Sequence, residues 1–118
     1  MARLLVHLAT GPENPTRAAL ALLVARTAAD EGHEVQVFLA GDAVQLAREE
    51  TAAAATGIGT GSVAEHLEGL AAANVPVFLS GLSSKARGIE APPRPGWELA
   101  PPQKLVELAV WSETQLTY

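Results

Sequence analysis

The chain has 118 residues and a mass of 12.2 kDa, with eight Lys and Arg against thirteen Asp and Glu, for a net charge of -5. That length suits one domain with a single core. The few, scattered cations argue against nucleic-acid binding through phosphate neutralisation, and the lack of cysteine excludes disulfides, thiolate metal sites and a cysteine nucleophile.

Apolar residues make up 48% of the chain but aromatics only 4%, so packing must rest on Ala, Val and Leu. The opening MARLLVHLATG carries one Arg and an apolar run too short for a membrane span, without a signal-peptide cleavage region. The expectation is a soluble, cytoplasmic protein with no membrane partner.

LLVHLA (residues 4–9) reads as a continuous apolar strand of the kind buried on both faces of a parallel sheet. TGPENPT (10–16) breaks it with two prolines and a glycine. Thr16 is placed to cap the helix that follows, with Arg17 in its first turn. That helix runs over Ala18–Asp30; Leu20, Leu23, Val24 and Thr27 form one stripe and Leu22 widens it. Gly32 fits its stop.

HEVQVFLA (33–40) is the second strand, with Val35, Val37 and Leu39 on one face. In GDAVQLA (41–47), Asp42 and Gln45 have the spacing of a capping box. TGIGTG (56–61) suggests a phosphate loop, but it lacks the Lys-Ser/Thr pair and does not directly follow a strand, so it reads as a flexible connector or a channel-lining loop. Ser62 and Glu65 make a second capping box, before a helix with Val63, Leu67, Leu70 and Ala71 inward and Asn74 at its close.

VPVFLS (75–80) is the third strand. The proline-rich APPRPGWELAPP (91–102) reads as a crossing loop or an arm, PQKLVELAV (102–110) as the last helix, and Gln115–Tyr118 as a closing strand. The alternation predicts an α/β fold: a three-layer domain, its mostly parallel sheet carrying helices on both faces. Right-handed crossovers would put the first strand in the centre, the second on one side and the third on the other. The loops after strands one and three would then flank a topological switch point, where such sheets bind ligands.

Those loops hold the candidate site: Thr10, Glu13 and Asn14 from the first, and Ser80, Gly81, Ser83, Ser84, Lys85, Arg87 and Gly88 from SGLSSKARGI (80–89). Small residues and two cations at a strand end can hold a small anion or metabolite. The plainer alternative is that the hydroxyls cap a helical turn while Lys85 and Arg87 meet solvent or a neighbour. Glu13 can act as a base or pair with Arg87, or the turn merely caps the helix through Asn14 and Thr16.

A serine nucleophile needs a base within reach, and His7 on the first strand is the one histidine placed for it. GLSSK is not a hydrolase elbow, so the hydrolase is a remote alternative and no catalytic residue is assigned. His33 and His66 have no partners at metal-ligand spacing, so neither a metal nor a cofactor is expected. The apolar surplus of the first helix, with Leu22, Trp97, Trp111 and Leu116, fits either a covered surface between subunits or an Ala-rich helix simply buried within its own domain.

Residues 4–47, with their Gly-Pro-Glu-x-Pro turn and HEVQVFL-GDAV junction, and residues 74–89, NVPVFLSGLSSKARGI, together resemble the DsrE/DsrF-like family of YchN-like fold. The resemblance implies a homo-oligomer, a trimer or a hexamer built from trimers. In members with known chemistry it also implies a relay of sulfane sulfur on a loop cysteine. Many relatives carry cysteines where this chain has Ser80 and Ser83. A hydroxyl lacks the soft, ionisable sulfur that a persulfide requires. The chain is therefore expected to be a non-catalytic module binding a small anionic or polar ligand or a partner. The alternative is an accessory subunit of sulfur metabolism beside a cysteine-bearing DsrE-like paralogue.

Overall fold

The structure, a computed structural model, describes residues 1–90 and 94–118. Five parallel strands form the main sheet: β1 (Arg3–Leu8), β2 (Glu34–Leu39), β5 (Val77–Ser80), β6 (Trp97–Ala100) and β7 (Thr114–Thr117). A short hairpin of β3 (Thr56–Gly57) and β4 (Gly61–Ser62) stands apart from it. The helices are α1 (Pro15–Asp30), α2 (Glu49–Ala54), α3 (Val63–Ala72), α4 (Gly81–Ala86) and α5 (Pro102–Trp111), with a 3-10 helix over Gly41–Ala47.

The spatial order β6-β5-β2-β1-β7 corrects the expected arrangement. β2 is central, and the third strand of the sequence reading, β5, lies beyond β2 rather than beside β1. The reason is that α1 and α3 pack together on one face, so both right-handed crossovers step the same way. The return is made by α5 on the other face, and β7 takes the place beside β1.

Alternation along each strand separates two cores. Val6, Leu8, Val37, Leu39, Val77 and Leu79 meet α1 and α3, whereas Leu5, Phe38 and Phe78 meet Leu108 of α5. The sequence stripe of α1 is turned the wrong way. Its buried residues are Ala18, Ala19, Ala21, Leu22, Ala25 and Ala28, while Leu20 is exposed and Leu23 and Val24 are only partly covered. Alanines let the helix approach the sheet closely, which displaces the larger side chains to its outer side. In α3, Val63, Leu67 and Leu70 are buried as expected, but Ala71 is exposed and His66 fills the inner face instead.

Helix ends follow capping chemistry, with two shifts. Asn14, not Thr16, caps α1: its Oδ1 accepts from the Arg17 amide at 3.1 Å, with Pro15 in the first turn. Asp42 caps nothing, for Ala40 precedes the 3-10 helix and no side chain bonds its end. Gly32 at φ +88° and Asn74 at φ +57° end α1 and α3 as read from the sequence. Part of 91–102 forms the edge strand β6 rather than a loop; the rest of that expectation, at residues 91–93, lies outside the described residues. TGIGTG is the β3–β4 hairpin, docked on α1, rather than a loose connector. Leu22 and Trp97, read as interface surface, are buried within the domain.

Candidate functional site

The carboxyl ends of the parallel strands share one edge of the sheet, so the segments after β1, β2 and β5 emerge together. The 3-10 helix after β2 is the hub that joins the other two. On one side Gly11 lies flat against it, and a Cβ there would run into the Asp42 carbonyl. On the other side α4 is tied down by three polar contacts. The Gly41 amide donates to Ser83 Oγ at 2.9 Å, Arg48 donates to the Arg87 carbonyl at 2.6 Å, and Arg87 pairs with Asp42 at 3.0 Å.

Within α4 the hydroxyls act locally. Ser80 is the N-cap, its Oγ accepting from the Ser83 amide at 3.2 Å. Ser84 is fully buried, and its Oγ has no partner among the described residues. Arg87, at the C-cap, folds back to donate to the Ser83 carbonyl at 3.0 Å, and Gly88 at φ +75° turns the chain out of the helix. Lys85 is exposed.

A guanidinium has five donors. Among the described residues two are used, on Ser83 and Asp42, and the side chain keeps 30% of its surface exposed while Asp42 keeps 51%. A pair this open to water is worth about 0–1 kcal/mol, so either partner can be exchanged for another ion at little cost.

The two loops do not form one cluster. Glu13 Oε1 accepts from the Gly11 amide at 2.8 Å, and Asn14 is occupied in capping α1. Thr10 is partly buried. Arg87 pairs with Asp42 rather than Glu13; an aspartate 45 positions away was hidden in the sequence because its spacing to Gln45 fitted a cap. The hollow beside α4, lined by Gly81, Leu82, Lys85, Leu99 and Pro101, faces β6 instead.

His7 lies on the α5 face of β1, edge-on to Phe38 with ring centroids 6.1 Å apart. Its Nε2 is buried without a hydrogen-bond partner among the described residues, and burial pushes its pKa below the usual histidine value. No serine hydroxyl bonds to it, and Ser80 and Ser83 are occupied by backbone amides. Among the described residues no three His, Asp or Glu side chains gather as a metal site. Among the described residues no helix is long and apolar enough to cross a membrane.

The architecture is that of a small α/β domain whose strand-end loops are zipped together around a 3-10 turn. The DsrE/DsrF-like family model matches residues 2–118, and the chain belongs to that family. The fold is similar to that in the crystal structure of the ychN protein from E. coli, with a TM-score of 0.81 at 24% identity over the full length of both chains. No curated protein matches the chain.

Proposed function

We propose that this chain is a non-catalytic, homo-oligomeric member of the family. Its strand-end corner binds a small anion or polar metabolite at Arg87. The observation that carries this reading is the guanidinium itself: it is held in place by the Ser83 carbonyl and an exchangeable Asp42, with three donors unused among the described residues. An incoming anion takes the place of the Asp42 carboxylate. The absence of cysteine removes persulfide chemistry from this chain taken alone.

Thermal melting across a panel of inorganic anions, carboxylates and phosphorylated metabolites tests the reading. A stabilising shift is expected for at least one of them, lost in Arg87→Ala and enhanced in Asp42→Asn. No shift across the panel removes the ligand from the proposal.

A second reading is an accessory subunit beside a cysteine-bearing paralogue. The observation that favours it is Ser83, whose side-chain oxygen takes the Gly41 amide at a position where the family resemblance puts a cysteine in many relatives. Co-purification of such a paralogue with the tagged chain supports this reading, and a homo-oligomer that recruits none counts against it. Cytoplasmic residence belongs to both readings and is checked by fractionation.

A further inference from the structure

The most exposed large apolar side chain after Met1 is Ile58, 89% exposed at the tip of the β3–β4 hairpin. Its position is held from several directions. The Ile58 amide donates to Thr16 Oγ1 at 3.0 Å, and Thr60 Oγ1 donates to the Thr16 carbonyl at 3.0 Å. Buried His66 meets the Thr60 carbonyl through Nε2 at 2.7 Å, so that nitrogen carries the proton and donates. Gly57 sits where a Cβ would strike Thr60 and crowd α1. A hairpin this well tied presents an isoleucine to water in a fixed place, and a preorganised apolar knob loses little freedom on docking.

Beside the knob lies a hollow of 420 Å³, lined by Pro12, Pro15, Glu50, Thr51, Ala54 and Ala55. It is mostly apolar, with two prolines in its lining. Knob and hollow are neighbours, for Ala55 precedes Ile58 by three residues and Pro15 adjoins Thr16, which carries the hairpin. The charges match as well. Arg17 is exposed next to Thr16, Glu50 is exposed on the wall of the hollow, and neither has an ion-pair partner among the described residues. Exposed Leu20 extends the apolar surface along α1.

We infer that this face is a two-fold interface between copies of the chain, in which Ile58 of each copy fills the hollow of the other. Because knob and hollow adjoin, one two-fold rotation seats both knobs at once. The same rotation matches the Arg17 of each copy with the Glu50 of the other. The inference rests on the homo-oligomer reading and specifies the surface. It is compatible with a dimer or with a hexamer made of two trimers joined across this face.

Sedimentation velocity on the full chain tests it. The wild type is expected as an oligomer, Ile58→Arg at half the mass with an unchanged circular dichroism spectrum, and Ile58→Leu at the wild-type mass. Because the chain has no cysteine, Ile58→Cys mixed with Ala54→Cys should cross-link on oxidation in preference to either variant alone. An oligomeric wild type with Ile58→Arg at unchanged mass overturns the interface and leaves the oligomer reading intact. A monomeric wild type overturns both.

Discussion

Gly11 shows how one missing side chain positions the corner. Its backbone lies against the Asp42 carbonyl, so Gly11→Ala must push the β1 loop and the 3-10 turn apart. Overpacking of this kind costs about 1–3 kcal/mol. A urea titration should show a lower midpoint for Gly11→Ala at an unchanged slope. Ser83→Ala leaves the Gly41 amide without its acceptor and should cost about 1–2 kcal/mol in the same assay.

His7 adds a pH dependence whose sign follows from its surroundings. Burial favours its neutral form in the folded chain, so below about pH 6.5 the unfolded chain binds more protons than the native one. The contribution of His7 to stability is complete above that pH and declines as the pH falls towards its lowered folded-state pKa. The urea midpoint should therefore drop on going from pH 7.5 to pH 5, and His7→Gln should lessen the drop. A midpoint equally pH-sensitive in His7→Gln would show that other groups dominate.

How much of this was legible depends on whether the information was local. Apolar runs identified β1 and β5, the alternation of Val35, Val37 and Leu39 identified β2, and Gly32, Ser62 and Asn74 marked helix ends, because those signals lie within a few residues. The inner face of α1 was not legible. A run of alanines among leucines fits two stripes, and close packing on the sheet chose the smaller residues. β6 was hidden by the prolines around it, which suit an edge strand as well as a loop. The hairpin was hidden because its cohesion comes from Thr16 and His66, distant in sequence or on another element. Thr16→Val should release it: hydrogen exchange at Ile58 is expected to quicken while exchange in β1 and β2 stays slow.

Across the molecule, the sheet order explains why the corner is split. With β5 beyond β2, the β1 turn and α4 stand on opposite sides of the 3-10 hub, so Glu13 and Arg87 serve different partners. The Ser80 and Ser83 hydroxyls do structural work that a thiol would do poorly. Incubation with a persulfide donor followed by intact-mass analysis should show no sulfur retained on the protein. A stable adduct one sulfur atom heavier would contradict that expectation.

The central claim is that Arg87 receives an anion in exchange for Asp42. Its most direct measurement is a titration of the arginine Nε–H resonances by NMR, using the anion that gives the largest thermal shift. The account predicts saturable movement of the Arg87 resonance together with the Gly41 and Ser83 amides, absent in Arg87→Ala. Saturable binding that leaves all three in place, or no saturable binding by any anion tried, would contradict it.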